Sequence, residues 1–247
     1  MTDALPVSAQ GLHGQVLESL GIAICGGDLP EGTVITVEDI EARYGVSRTV
    51  VREATRVLGS MGLVSMRRRV GVQVQPASAW SLFAPQVIRW RLASTARIEQ
   101  IRALIEMRIA VEPEAARHAA ERATLDQASE LMGLAGKLWA AGTSHDAELF
   151  LQVDIQFHSL VLASSGNLMF GNLDALVGET LTGRTEIGLV PEHPHRDALQ
   201  LHVDVASAIQ RRDPEAARQA MYNIMLRSVQ EMESVHQESA RGDNEAK

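Results

Sequence analysis

Gly45-Val46-Ser47-Arg48-Thr49-Val50-Val51-Arg52-Glu53-Ala54 is the stretch whose reading decides the fold. Gly45 and Val46 make a sharp turn, Ser47 caps a helix, and Val50, Val51, Ala54, Leu58 and Met61 give that helix an apolar stripe. Arg48, Arg52 and Arg56 recur every four residues on another side. One face packs and the other is cationic. Upstream, Thr36 caps a second helix, with Asp39 as an imperfect capping-box partner, Val37, Ile40 and Tyr44 as its buried side, and Gly45 as its stop. Leu12, Val16, Leu20, Ile22, Ala23 and Cys25 mark a first helix, closed by Gly26, Gly27 and Pro30.

Downstream of Gly62, the run Leu63 to Met66, the triplet Arg67, Arg68 and Arg69, and the β-prone Val70 to Val74 around Gly71 predict a two-stranded wing. A short helix, a glycine turn and a serine-capped helix with arginine just inside it is an arrangement suited to the major groove, where guanidinium groups meet phosphates and guanine edges. Arginine every four residues is also the pattern of a solvated face. The cationic wing favours nucleic acid, because both features would meet the same phosphate backbone.

The formal charge of −8 argues on average against a polyanion, yet residues 48–69 hold six arginines and a single acid, Glu53. Within a Debye length of roughly 10 Å that island, not the average, sets the attraction. A 247-residue chain with 45% hydrophobic residues has material for two cores. Cys25, the sole cysteine, excludes an internal disulfide framework and a thiolate metal cluster, and fits a reducing cytoplasm. With no signal-peptide pattern and no long apolar run, the expected location is cytoplasmic, away from the membrane.

From residue 77 the β-branched alternation gives way to helical patterns at about 79–92, 95–120, 124–141, 145–165, 168–187, 195–211 and 213–237. Six or seven successive helices predict a bundle with an internal cavity as its site. Asp154 and His158, four apart, share a helix face, and His202 lies among Leu201, Val205, Ala206 and Ile209. These three could bind a divalent metal, Zn²⁺ first and Ni²⁺ or Mn²⁺ as alternatives. In the other reading Asp154 merely orients His158, and His202 packs. Arg108, on a helix with Ile101, Leu104, Ile105 and Ile109, needs an anion if it turns inward. Glu112 at i+4 and an effector carboxylate both qualify. Arg184 carries the same two readings. His145, His193 and His195 fall in loops, with His195 placed to touch a ligand at the bundle opening.

The N-terminal motifs, Gly27-Asp-Leu-Pro-Glu-Gly-Thr33, Gly45 to Ala54, Leu58 and Gly62-Leu-Val64, closely resemble the winged domain of the GntR family. The resemblance implies operator contacts by Arg48, Thr49 and Arg52, with wing residues around Arg69 and Gly71 at the minor groove, flanked by Arg67 and Arg68. An arginine common near the start of the second helix is replaced by Glu38. The C-terminal part is similar to the FCD domain of the FadR subfamily through Glu106-Met-Arg108, Glu112-Pro113, Ala119 to Thr124, Asp154-Ile-Gln-Phe-His158, Asn167, His202, Ala208-Ile209 and Asp213. By that resemblance Asp154, His158 and His202 match three of four metal ligands, and Arg108 matches an arginine that meets the effector carboxylate. The fourth ligand position, usually histidine, is Ile224.

Within the subfamily, Trp80, Val87-Ile88-Arg89-Trp90 and the missing last histidine look like the galactonate-operon repressor group. This implies a catabolic-operon repressor, a homodimer on double-stranded operator DNA, released by a small sugar acid or related hydroxy-carboxylate. The expected effector set is Arg108, Asp154, His158, Arg184, His195 and His202. The expected fold is mostly α, a winged helix-turn-helix at 1–76, a linker and first helix region at 77–91, an all-helical FCD-type effector-binding and dimerisation bundle at 92–238, and a disordered tail at 239–247. A metal-dependent enzyme and an architectural DNA-binding protein are the alternatives. No residue beyond the presumed ligands offers a general acid or base, and the clustered polar groups suit a binding cavity.

Overall fold

A computed structural model describes residues 11–67, 70–190 and 195–245, with side chains through Glu233. Its contacts divide the chain into two units, Met1–Gln100 and Ile101–Lys247. The first contains α1 (Leu12–Gly26), β1 (Val34–Ile35), α2 (Val37–Tyr44), α3 (Arg48–Ser60), β2 (Val64–Arg67), β3 (Gly71–Val74) and α4 (Pro85–Leu92).

Local sequence chemistry sets the ends of α2. The Thr36–Asp39 capping box is complete, and Gly45 stops the helix in the left-handed conformation. Ser47 sits at the N-cap of α3 with extended backbone, but its side chain makes no capping bond, contrary to the reading of the sequence. Val51, Ala54 and Leu58 bury the inner face of α3 against Val16, Leu20 and Ile40. The wing is three-stranded rather than two-stranded, in the order β1-β3-β2. Val34 and Ile35 pair antiparallel with Gln73 and Val72, while Val64 to Arg67 pair with Val74 to Gly71. Gly71 is required where β1 crosses it: φ is +122°, and a Cβ there would lie 2.7 Å from the Ile35 carbonyl oxygen.

The stretch read as a linker and first helix region carries its helix in the second half, starting at Pro85 rather than near 79. After a short 3-10 turn at Ala77–Ala79, α4 packs on α1, and fully buried Trp90 donates its Nε1–H to Glu18 at 2.7 Å. Gly21 makes room for the indole, because a Cβ there would come within 2.3 Å of the ring. Gly21→Ala is therefore expected to lower stability by about 1 to 3 kcal/mol through overpacking, read as a lower denaturant midpoint at unchanged slope. An unchanged midpoint would show that α4 does not close this core.

The second unit comprises α5 (Arg97–Arg122), which begins just before the division, α6 (Leu125–Ser144), α7 (Ala147–Ser164), α8 (Leu168–Gly171), α9 (Asp174–Glu186), α10 (Arg196–Gln210) and α11 (Pro214–Glu245). A second capping box, Thr124 with Gln127, starts α6, and Asp146 caps α7 by accepting from the Leu149 amide. The helix expected over 168–187 is broken into α8 and α9. Asn172 ends α8 by donating its side-chain amide to the Leu168 carbonyl at 2.7 Å. α11 stays helical through Glu245, so most of the segment expected as a disordered tail has helical backbone. The core of the unit holds Ile105, Leu131, Leu138, Phe157, Leu162, Val205, Ile209 and Met225, and the buried polar side chains of Arg108, His158, Arg184, His202 and Ser228 line a cavity.

Candidate DNA-binding and effector sites

In the first unit, Arg48, Thr49, Arg52 and Arg56 are exposed while Val51, Ala54, Thr55 and Leu58 are buried, so α3 separates its two faces as its spacing requires. Arg48 is held by Glu38 at 2.9 Å, and Arg56 by Glu53 at 3.0 Å. Arg52 makes no ion pair among the described residues and remains available. Because Ser47 does not cap, the first-turn amides and positive dipole end of α3 are open to an anion. Arg67 is exposed at the end of β2 and Gly71 opens β3. Arg68, Arg69 and the loop residue His193 lie outside the described residues.

In the second unit, Arg108 of α5, Asp154 and His158 of α7, Arg184 of α9, and His195 and His202 at the start and middle of α10 surround one cavity of about 560 Å³ including its mouth. His195 is exposed at the N-cap of α10, and the others are buried or half-buried. Phe150, Leu181, Leu201 and Ile224 provide apolar wall between the charges. Ile224 thus occupies the cavity lining without a donor atom.

Asp154 Oδ1 lies 3.1 Å from His202 Nε2 and 3.5 Å from His158 Nε2, and one donor atom from each residue falls within 4.8 Å of the others. The opposite ring nitrogens are committed outward. Nδ1 of His202 faces the Ala198 carbonyl at 2.9 Å, and Nδ1 of His158 contacts Glu112. With Nδ1 carrying the proton, a neutral imidazole turns its Nε2 lone pair toward the Asp154 carboxylate, so a proton or a cation must lie between. The buried Asp/His/His cluster is therefore able to chelate a metal, with carbonyl and carboxylate groups orienting the imidazoles from behind.

Glu112 joins this cluster to Arg108. It accepts from Arg108 Nε and from His158, all three being about 1% exposed. Burial pushes the Glu112 carboxyl upward, but the Arg108 and His158 charges outweigh it and bring the pKa to about 2. Burial pulls His158 down, and the charge of Glu112 and the hydrogen bond to Asp154 raise it to about 9. The two sequence readings of Arg108 are compatible, because Glu112 takes Nε while Nη1 is buried without a hydrogen-bond partner. Reading the sequence missed Arg227, Ser228 and Glu231 of α11, which also line the cavity, with Glu231 accepting from Arg184 Nη2 at 2.5 Å.

His158 provides a pH test. Its folded pKa lies above the ordinary value of 6.5, so in metal-free protein its stabilisation is complete below about pH 6.5 and fades as pH rises through about 9, on the order of 3 kcal/mol. Bound metal would displace that proton, so the zinc-induced rise in Tm should grow across the same window. Melting curves with chelator or Zn²⁺ at pH 6.5 and 9 measure it, and a zinc increment independent of pH would remove His158 from the ligand set.

A helix-turn-helix with a β wing, followed by a helical bundle whose interior holds uncompensated polar groups, defines a DNA-binding transcription regulator. The FCD domain family matches residues 103–227, and the bacterial regulatory proteins of the gntR family match residues 12–74. The chain belongs to the GntR family of regulators with an FCD domain, which is not a class of enzymes. Among its relatives in Escherichia coli K12 are the HTH-type transcriptional regulator YieP, 30% identical across 91% of this chain and 99% of the relative, and the galactonate operon transcriptional repressor, 28% identical across 90% and 96%. The repressor NanR of Klebsiella aerogenes is 28% identical across 91% and 86%. Among solved structures, Lar of Listeria monocytogenes shares the fold at a TM-score of 0.55 and 14% identity, over 91% of this chain and 98% of its own. No described helix is long and apolar enough to cross a membrane.

Proposed function

We propose that this protein represses a catabolic operon as a homodimer on two operator half-sites, and is released when a small hydroxy-carboxylate of the sugar-acid class binds in the bundle. The observation that carries this reading is the buried, unpartnered Nη1 of Arg108 beside the convergent donors of Asp154, His158 and His202. A buried guanidinium cannot shed its charge, so a carboxylate at Nη1 gains a charge-assisted bond. Zn²⁺, or Ni²⁺ or Mn²⁺, held by three protein donors would keep positions open for effector hydroxyls, since Ile224 supplies no fourth. Two relatives are named repressors, one of them of a galactonate operon, which supports both the direction and the ligand class.

Arg48, Thr49, Arg52, Arg67 and Gly71, together with Arg68 and Arg69, form the proposed operator face, and Arg108, Asp154, His158, Arg184, His195 and His202 the effector face. An effector that binds one spacing of the two DNA-binding units better than the other by about 1 to 3 kcal/mol gives roughly 5- to 150-fold regulation. Fluorescence anisotropy on a genomic fragment selected by the protein, titrated with aldonates in zinc-loaded and chelated protein, tests the switch. Release of DNA by an aldonate, lost in Arg108→Ala, supports it. An aldonate that leaves DNA affinity unchanged rejects it, and a monomer in sedimentation with full specific affinity rejects the dimer.

A further inference from the structure

The charges around the cavity do not close for the ligand class just proposed. Arg108, Arg184 and Arg227 stand against Glu112, Asp154 and Glu231, three cations against three anions. Arg108 and Arg184 are only 1% and 6% exposed, and guanidinium groups remain charged. A divalent ion at the Asp154 cluster, with both imidazoles neutral as ligation demands, leaves the region at a formal +2. Three buried donors around it, Nη1 of Arg108, Nε of Arg184 and Nε of Arg227, have no hydrogen-bond partner. They come from three helices, α5, α9 and α11, so a single carboxylate at Arg108 does not account for all of them. Burial, and then the like charge of Arg108, pull the Arg184 pKa below the ordinary value, against the opposing charges of Glu231 and Asp154.

We propose that the effector carries at least two negative charges, with one carboxylate at Arg108 beside the metal and a second acid group held by Arg184 and Arg227: a carboxylate, which makes the ligand a dianion, or a phosphate ester, which brings it closer to a trianion. A monoanion would leave one buried positive charge uncompensated, and a neutral sugar would leave two. The inference rests on the effector reading above and narrows it from acids in general to acids with two anionic ends.

The test is calorimetry on the full chain with ligands of one carbon skeleton: an aldonate, the corresponding aldarate, and the 6-phosphoaldonate. In zinc-loaded protein at least one of the two ligands with a second acid group is expected to bind roughly tenfold or more tighter than the aldonate. Tight binding by the aldarate identifies a second carboxylate, and tight binding by the phosphoaldonate identifies a phosphate. The preference should shrink in chelated protein and in Arg227→Gln, whose site is only half-buried; circular dichroism checks that this variant folds. Equal affinity of all three ligands would overturn the second acid group while leaving the acid-released repressor intact. A preference for the second acid group unchanged by both chelation and Arg227→Gln would overturn the charge assignment. Absence of binding by any of the three would overturn the sugar-acid reading along with it.

Discussion

Arg52→Ala is expected to weaken binding to the preferred operator by about 1 to 3 kcal/mol, and to relax discrimination at one base pair of each half-site. Arg52 is exposed on α3, one turn inside the uncapped helix start, and it is the arginine of this face that no acid holds among the described residues. Arg48 differs, because Glu38 takes one face of its guanidinium at 2.9 Å. Arg48→Ala should cost less than Arg52→Ala in the same assay, and Glu38→Ala should strengthen binding to many sequences alike by releasing a cation. Arg67→Ala at the wing should lower affinity evenly and reduce the salt slope by about one. Footprinting with salt titration separates these outcomes. Unchanged base preference in the Arg48→Ala, Arg52→Ala double variant would remove α3 from the reading role.

What the sequence reveals follows from whether the determining interaction is local. The Thr36–Asp39 capping box and the glycine stop of α2 span three or four residues and can be read directly. β1 has only two residues, too few for any period, and forms because β3 pairs with it from almost forty residues away. The break between α8 and α9 depends on one side-chain bond from Asn172, inside a segment whose apolar pattern continues. In the bundle, the resemblance led to Arg108, Asp154, His158 and His202, and the fold brings them to one cavity. It did not lead to Arg227, Ser228 and Glu231. Those residues read as the polar face of a long helix, and only the packing of α11 turns them inward. A signal was nonetheless present: Ile224 already marked the cavity face, and positions 227, 228 and 231 follow it at i+3, i+4 and i+7.

Glu112→Gln is expected to have the largest effect of any single isosteric change in the bundle. The carboxylate is about 1% exposed, serves Arg108 Nε and His158 together, and is held ionised down to about pH 2. Neutralising it leaves Arg108 as a buried charge whose counter-ion is gone, a change that typically costs about 3 to 5 kcal/mol. The amide also alters His158. The glutamine carbonyl oxygen can accept from only one of its two former donors at full strength. If Arg108 keeps it, the amide N–H group faces His158 and makes Nδ1 an acceptor. The proton then moves to Nε2, the atom that points at Asp154, and blocks the lone pair a metal would need. Metal affinity should consequently fall by about 10- to 100-fold, the range for losing such an orienting partner. Denaturant unfolding in chelator measures the first effect, and competition with a chromophoric chelator at pH 7.5 measures the second. Full stability with weakened metal binding would mean that Arg108 finds another anion, whereas lost stability with intact metal binding would detach Glu112 from the orientation of His158.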